Sequence, residues 1–511
     1  MVAERIRINP FFMEQVLACE IKKEPNEHGQ AYVKGYIPAS QEENYLSLGA
    51  RDTGVQIEAV RQEGESRIIF SGIVKQCEIR HSNQLLVMEL RLISYTYLMD
   101  LQPRIRSFQI PSLPYQQIFD TVVGTYPQGG CILTEEDKAV SEELVVQYQE
   151  TDWTFLKRLA SHLQLPVVGE VQTQGVKVYI GLPKRGKKMK ISPVSYTACK
   201  ASQDYLYKQQ NQVEGLLEED ELYYEVQEQE VLELGDQVEF LHQTYCVAGV
   251  KSYLDGHQLW NSYRIKPEAG LRVPKQYNEK MIGASLDGSV TKIQGAQVKI
   301  RLGADGIRGE ERWFPFSTIY SSADGSGWYC MPEPGDEIRL YFPTIKEKHA
   351  YVISAVHLPV SGEASFSQEW MAPGACDGGM AAAVGGGSKT ALPASAASGG
   401  SASTAGNGAA PRSNPDCKTI STVTGKTVEL TPTRIYLSNK KGLEIILDDQ
   451  EGILMISNQK INIRSQDTIN ITSEAGVELI GQKKIHLQQK KASVTLKESR
   501  IELLGADVRM Q

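Results

Sequence analysis

The stretch INIRSQDT-INITSEAG-VELIGQKK-IHLQQKKA, residues 461–492, repeats every eight positions. Each octad opens on two apolar residues separated by one polar residue, and apolar residues two apart lie on the same face of a β-strand. A short strand and a polar corner, repeated at a fixed period, are typical of a β-helix or solenoid. The four apolar pairs are Ile461/Ile463, Ile469/Ile471, Val477/Leu479 and Ile485/Leu487.

A looser version of this pattern covers the whole of residues 417–511. An antiparallel meander is the alternative, but its hairpins are expected to use Asn-Gly or Asp-Gly turns, and this region has neither. One chain could hardly enclose so thin a core, and its strand edges would stay open. We therefore predict that residues 417–511 form an intertwined β-helix of three chains, with the eight paired residues directed at the shared axis.

The octads are preceded by a segment, residues 361–416, of very different composition. Its central 42 residues, 372–413, hold 13 Ala, 10 Gly and 6 Ser and no aromatic residue. Such a composition cannot bury enough apolar surface to offset the entropy of ordering the chain. We predict a flexible linker, with irregular packing against a neighbour as the alternative. Because a flexible chain transmits no compression, we expect it to loop outward.

The first 360 residues read as mixed, mostly β, with two helices. Residues 114–123 and 152–165 carry apolar residues at helical spacing, and Thr151 or Asp152 can cap the second helix. Residues 281–357 read as five or six short strands broken by Gly and Pro, which is the size and rhythm of a small barrel of the OB type. Together these patterns predict a mainly β protein of several domains.

Composition narrows the class of protein further. The 511 residues carry a formal net charge of −8, which argues against a nucleic-acid partner. The eight cysteines stand singly with no CxxC, so neither a disulfide scaffold nor a zinc site is expected. There is no run of 18 apolar residues, and the opening MVAERIRINPFF lacks the apolar core of a secretory signal. We expect a soluble protein that folds in a reducing compartment.

Two runs of like charge are open to two interpretations. Residues 214–239 hold eleven acidic and no basic residues, and residues 184–190 hold five basic residues in seven. Runs of this kind are usually solvated faces or loops. The alternative is an electrostatic field along a channel or a docking edge between subunits.

Motifs of catalysis are missing from the sequence. It contains no HxH, HExxH, GxSxG or P-loop pattern, and its paired carboxylates are of a kind common on protein surfaces. We therefore predict no enzymatic activity, no cofactor and no metal.

Several segments resemble the VgrG-type spike proteins of contractile injection systems, including the hub and spike of phage tails. The most specific is QYQETDWTFLKRLA, residues 147–160, which is similar to the family's Y-x-E-T-D-aromatic-x-F segment. IFSGIV, residues 69–74, resembles a strand of the first hub barrel, and Gly235-Asp236 resembles a turn of the second. Trp313 and MPEPGDEI, residues 331–338, resemble the family's small barrel.

The resemblance implies an architecture for the whole chain. It consists of a first hub β-barrel, a helical insertion, a second hub barrel, an OB-type barrel, the linker and the trimeric β-helix, over residues 1–108, 109–168, 169–275, 281–358, 361–416 and 417–511. The residues expected to have structural roles are Glu150, Asp152, Trp153, Phe155 and Leu159 in the hub motif, and Trp313, Pro334, Gly335 and Asp336 in the OB barrel.

The same resemblance implies a mechanical function. Three copies would form the central hub and spike that adapts a hexameric tube to a three-fold needle, which pierces the target envelope when the sheath contracts. Tube and baseplate proteins, a PAAR-type tip protein and effector cargo are the implied partners, with transient contact to the target membrane. Assembly would take place in the bacterial cytoplasm, and the spike would sit at the baseplate. A trimeric receptor- or polysaccharide-binding tail fibre with a β-helical shaft is the alternative.

Overall fold

The chain is mainly β, as predicted. The computed structural model describes residues 4–49, 53–61, 66–82, 85–135, 140–141, 143–193, 195–256, 258–307, 309–321, 326–355, 414, 416–422, 424–497 and 499–507. The linker prediction, residues 361–416, therefore lies outside the described residues apart from 414 and 416. The chain divides into two compact units, one of residues 1–424 and 428–432 and the other of residues 425–427 and 433–511.

The first hub barrel is built from six strands in the order β1-β4-β5-β6-β3-β2. Alternating apolar residues of these strands, such as Val33, Ile57 and Leu90, fill one buried core. The elements are β1 Glu4–Asn9, β2 Gln15–Lys23, β3 Gln30–Ile37, α1 Glu42–Gly49, β4 Gly54–Arg61, β5 Ser66–Ser82 and β6 Leu85–Ser94, with 3-10 turns at Ala39–Gln41 and Tyr95–Asp100.

A helical segment follows, packed around its own core. Helices α2 and α3 confirm the two helices predicted from apolar spacing, although α3 ends at Ser161 and not at the predicted residue 165. Their inner faces contribute Phe119, Val122 and Leu156 to that core. The elements are β7 Pro103–Phe108, β8 Leu113–Pro114, α2 Tyr115–Val123, β9 Gly130–Leu133, β10 Val140–Ser141, β11 Val145–Thr151, α3 Asp152–Ser161, β12 Val167–Gly169 and β13 Lys177–Ile180.

The second hub barrel repeats the strand order of the first, as β14-β17-β18-β19-β16-β15. Strand β18 also pairs with β2, so the two barrels share one 12-stranded sheet. Beside this junction the buried Lys23 Nζ binds the Glu233 carboxylate at 2.7 Å. The elements are β14 Lys188–Lys190, β15 Tyr196–Lys200, α4 Ser202–Gln210, β16 Leu222–Glu228, β17 Gln237–Phe240, β18 Gln243–Asp255 and β19 Gln258–Lys266, with 3-10 turns at Glu218–Glu221 and Glu268–Leu271.

The small barrel predicted for residues 281–357 consists of short strands around a separate core. Its main sheet has the order β22-β21-β20-β24-β25. The strands are β20 Ser285–Gln294, β21 Gln297–Leu302, β22 Trp313–Pro315, β23 Gly327–Tyr329, β24 Glu337–Tyr341 and β25 Tyr351–Ala355, with 3-10 turns at Glu279–Met281 and Glu347–His349.

The chain beyond the linker returns to the small barrel. Strand β26, Lys418–Ser421, pairs antiparallel with β23, with Trp328 opposite Ile420. Lys418 Nζ also lies 3.0 Å from the Glu333 carboxylate. Strand β27, Thr427–Leu430, follows.

The second unit contains two antiparallel meanders. They consist of β28 Arg434–Ser438, β29 Leu443–Asp448 and β30 Gly452–Ser457, and of β31 Lys484–Gln489, β32 Ala492–Lys497 and β33 Arg500–Leu504. Excluding a meander for want of Asn-Gly or Asp-Gly turns was therefore wrong for these two segments. The turns use other means: Asn439 Oδ1 accepts hydrogen bonds from two backbone N–H groups, and Gly442 and Gly452 have positive φ. The intertwined trimer stays a prediction.

Candidate functional site

The hub motif, residues 147–160, lies where the first barrel, the helical segment and the small barrel meet. Its helix α3 is capped by Thr151, whose Oγ1 accepts a hydrogen bond from the Thr154 backbone N–H at 3.2 Å. Of the two caps the sequence allowed, Thr151 is the one used. This frees the Asp152 carboxylate for contacts outside the helix.

Asp152 is fully buried and anchors the start of α3 to two neighbouring strands. Its Oδ1 accepts hydrogen bonds from Arg106 Nη1 at 2.6 Å and Gln147 Nε2 at 2.8 Å, and its Oδ2 accepts one from the Tyr126 hydroxyl at 2.7 Å. Burial, followed by the hydrogen bond to Asp152, raises the pKa of Tyr126, so this hydroxyl stays protonated and continues to donate. Arg104 Nε lies 3.4 Å from Oδ2 as well, so the carboxylate is held by two cations and two neutral donors.

A second buried network crosses from α3 to the small barrel. Arg158 Nε and Nη2 bind the two Glu150 oxygens at 2.8 and 2.9 Å, and Arg158 Nη1 donates to Glu347 Oε1 at 3.1 Å. Burial raises the pKa of Glu347, and the positive charge of Arg158 opposes this shift. Burial alone would lower the pKa of Arg158, but its two carboxylate partners raise it on balance. Arg158 therefore stays charged and ties two domains together.

The apolar members of the motif complete the same junction. The Trp153 ring lies 4.4 Å from the imidazole of His28, which sits between β2 and β3 of the first barrel. Phe155 stacks on Phe108 with 6.1 Å between ring centroids, and Leu159 is fully buried. The structure thus brings Glu150, Asp152, Trp153, Phe155 and Leu159 together in the core. The partners Arg106 and Glu347 were missed by the sequence reasoning because no local pattern connects them to the motif.

The Gly-Asp pairs of the second hub barrel and the small barrel form the same turn. Gly335 follows Pro334 with φ +98°, and the Asp336 carboxylate accepts a hydrogen bond from the Glu333 backbone N–H at 2.8 Å. Gly235 has φ +86°, and Asp236 makes the corresponding bond to the Glu233 N–H at 2.8 Å. Positive φ at this position is the reason for glycine. The turns aim the next strand, β24 or β17, back into its sheet.

Trp313 opens strand β22 and is partly buried. Its ring lies under the Lys299 ammonium, 5.3 Å from Nζ to the centroid. The contact joins β22 to β21, with which it pairs. Trp313 therefore stands in the wall of the small barrel.

The octad residues predicted to line the shaft axis form no core within the single chain. Ile485 is only partly buried, as a member of β31. The other seven are exposed, by between 49% and 71%, where the prediction places them in a core: Ile461, Ile463, Ile469, Ile471, Val477, Leu479 and Leu487. The eight residues do not surround a common axis within one chain. Their burial stays a prediction for the trimer.

The physical reason is the lack of neighbouring strands. Residues 459–483, which contain six of the seven exposed octad residues, carry no strand. Their side chains form local hydrogen bonds, in which Ser465 Oγ accepts from the Asp467 N–H and Ser473 Oγ accepts from the Gly476 N–H. The seventh, Leu487, lies in the thin meander β31–β33, which has no second layer to cover it within the second unit's described residues.

The two charge runs are partly paired with each other. Strand β14, within the basic run, lies parallel to β17, within the acidic run, and Lys190 Nζ is 3.7 Å from the Glu239 carboxylate. Lys187 likewise lies 3.6 Å from Glu230. The runs are not wholly solvated, because Glu221, Glu233 and Asp236 of the acidic run are buried, and Glu221 and Glu233 pair with lysines outside the basic run.

Over the described residues, no group of three or more His, Cys, Asp or Glu side chains could hold a metal ion. A pocket of about 270 Å³ in the small barrel is lined by Phe316, Ser317, Trp328, Tyr329 and Met331 among others, and its lining contains no carboxylate or imidazole. No helix in the described part of the chain is both long and apolar enough to cross a membrane.

Residues 47–181 match the phage tail baseplate hub (GPD) family. This segment contains the hub motif and its partners Arg106 and Tyr126. The resemblance to VgrG-type hub proteins is thereby confirmed for residues 47–181. The search of curated proteins gives no match.

Three solved structures illustrate what the chain is similar to. The Escherichia coli c3393 protein, a type VI secretion component described as similar to the T4 phage tail proteins gp27 and gp5, is 12% identical over 69% of this chain and 100% of its own, with a TM-score of 0.49. A chain of the half-lidded Francisella PdpA–VgrG complex is 10% identical over 89% of this chain and 88% of its own, with a TM-score of 0.44. The 43 kDa tail protein of the Shewanella oneidensis prophage MuSo2 is 10% identical over 54% and 100%, with a TM-score of 0.41.

Proposed function

We propose that this protein is the central trimeric hub and spike of a contractile injection machine. Its hub adapts a hexameric tube to a three-fold needle, and the needle pierces the target envelope when the sheath contracts. The observation that carries the proposal is the match of residues 47–181 to the baseplate hub family.

The strand order of the hub supports the role of an adaptor. Each chain contains two barrels with the same order of six strands, joined edge to edge through β2 and β18. Three chains would therefore offer six similar barrels to a tube of six subunits. A receptor-binding fibre has no need of this doubling.

The octad region supports the role of a needle. Its apolar pairs are exposed in one chain, and residues 459–483 lack strand partners within it. Winding three chains together would bury the apolar pairs and give residues 459–483 strand partners from the neighbouring chains. It would also leave no open strand edge along the shaft. A rod without open edges suits a part that must withstand axial force.

The proposed partners follow from this position. Tube and baseplate proteins would bind the hub, and a PAAR-type protein would cap the needle, with effector cargo attached to either. The protein would be assembled in the bacterial cytoplasm and sit at the baseplate until contraction. We propose no enzymatic activity, because the network at the hub motif is engaged in structural contacts and the small-barrel pocket lacks an acid or base.

Light scattering of the purified full chain tests the proposal. A trimer of about three times 56.7 kDa is expected. A stable monomer with full β content would refute it.

The shaft is tested by two neighbouring substitutions. Ile469→Asp should place three unpaired charges in one layer of the axis, at several kcal/mol per ion even after relaxation. Asn470→Asp adds the same carboxylate on the opposite face and should be nearly silent. Equal thermal stability of the two variants would show that the faces, or the shaft, are wrong.

A further inference from the structure

The two hub barrels correspond residue by residue along their central strands. In β5–β6 the ladder pairs Val74 with Leu92 and then skips one residue of β5. In β18–β19 it pairs Val247 with Ile265 and skips one residue of β18. Every residue of the second ladder lies 173 positions after its counterpart, as Val247 does after Val74. The central ladders of the two barrels therefore share one register, with the same bulge at the same place.

Beyond the bulge, the edge of β18 is covered by the first barrel. Strand β18 pairs with β17 up to Cys246, and the four residues Val250 to Tyr253 pair with β2 instead. In this junction Val250 lies opposite Lys23 and Ser252 lies opposite Ile21. The end strand of the first barrel, β2, thus pairs with the part of β18 that lies beyond the end of β17.

Among the described residues, no strand covers the corresponding edge of β5, although helix α1 packs against this strand with Gly49 next to Cys77. Strand β5 pairs with β4 only up to Ile73, and among the described residues its remaining length, to Ser82, pairs with β6 alone. Strand β15 of the second barrel corresponds to β2 of the first. In the first barrel β2 is the end strand next to β3, and in the second barrel β15 is the end strand next to β16. Within the described chain β15 pairs only with β16, and most of its residues are exposed. One chain thus presents both halves of a second junction at separate edges.

We propose that β15 of one copy pairs antiparallel with the second half of β5 of the next copy, repeating between chains the β2–β18 junction within the chain. The 173-residue offset also aligns β16 with β3, through their ladders with β19 and β6. Following the β3–β2 and β16–β15 ladders from there, Thr197 takes the position of Glu20 and Lys200 takes the position of Lys23. The register is then fixed: Cys77 opposite Lys200, Glu78 opposite Cys199, Ile79 opposite Ala198 and Arg80 opposite Thr197.

This contact rests on the proposed trimer. It joins two different edges, so it is head-to-tail and closes into a ring when the rotation between copies is one third of a turn. Closure gives the free edge of β15 and the free part of β5 a partner strand in every copy. The partner is therefore a second copy of this chain.

The register is tested by a single cysteine in the full-length protein. Directly opposed residues of an antiparallel pair have Cα atoms about 4.5–5.5 Å apart, within the range of a disulfide. Glu78→Cys should therefore form a disulfide with the native Cys199 of the next copy under mild oxidation. Non-reducing gels should show covalent dimers and trimers, and these should disappear when Cys199→Ser is added.

Ile79→Cys is the matched control, because it lies one position away and points to the opposite face of the strand. It should form no bond with Cys199. Lys200→Cys opposite the native Cys77 tests the same register with a different pair, in case Glu78→Cys fails to fold.

The outcomes separate this inference from the proposed function. A trimer by light scattering in which neither Glu78→Cys nor Lys200→Cys gives bonds dependent on its native partner would overturn the strand pairing and leave the trimeric hub intact. A monomer by light scattering would overturn the trimer and the contact with it.

Discussion

Replacing Arg158 by Met is the sharpest test of the buried network at the hub motif. Methionine keeps the unbranched apolar stem of the side chain, but it loses the guanidinium group, whose central carbon lies 5.4 Å from the centroid of the Phe155 ring. It leaves the carboxylates of Glu150 and Glu347, 7% and 5% exposed, without their cation. Removing one partner of a buried ion pair costs about 3–5 kcal/mol, which is roughly a 100- to 4,000-fold change in the folding equilibrium.

Urea unfolding of the full chain, followed by tryptophan fluorescence, measures this loss. Arg339→Met is the control, since Arg339 pairs with Asp287 at 3.3 Å with both side chains largely exposed. Exposed pairs contribute about 0–1 kcal/mol, so the control should shift the unfolding midpoint little.

A triple variant separates the loss of charge balance from the loss of packing. Adding Glu150→Gln and Glu347→Gln to Arg158→Met removes the unpaired buried charges, and much of the lost stability should return. The reasoning is refuted if Arg158→Met unfolds at the same urea concentration as Arg339→Met, or if the triple variant is the least stable of all.

Two further outcomes are expected. Gly335→Ala should destabilise the small barrel by about 1–2 kcal/mol in urea unfolding, because the φ of Gly335 is +98°. Gly303→Ala is the control: a Cβ there meets equally open space and φ is not positive, so its effect should be small. Equal effects of the two substitutions would contradict the argument from positive φ. Burial, then the charges of Lys275 and Arg158, lowers the pKa of His162 to about 3, so the unfolded state binds the proton first and stability falls as pH drops below about 6.5. His162→Gln should flatten this dependence between about pH 7 and pH 5, and an unchanged slope in urea midpoints would show that His162 is not its source.

The sequence predicts the local parts of the hub well. The cap at Thr151, the helix after it and the turn at Gly335 depend on neighbours within a few residues, and local chemistry decides them. The sequence does not predict the partners of the motif, because Arg158 and Glu347 are 189 positions apart. Nothing in the spacing of either residue points to the other, and only the packing of two domains brings them together.

The meanders of the second unit show the limit of a rule based on turn dipeptides. Asn439 and Asp448 each accept hydrogen bonds from two backbone N–H groups of their turns. These side-chain acceptors stabilise the turns between strands, which an Asn-Gly or Asp-Gly pair does in two-residue hairpins. The apolar alternation was visible in the sequence, but it is the same for a meander and for a β-helix.

The pairing of β26 with β23 has a consequence for the long segment between them. Trp328 and Ile420 are ladder partners, and both strands belong to the same compact unit, so the intervening chain closes a loop within one folding unit. The entropy of loop closure grows only with the logarithm of length, and doubling such a loop costs about 0.6 kcal/mol. We therefore expect that lengthening or shortening the chain between the two strands within residues 372–413 changes the stability of the barrel by only fractions of a kcal/mol.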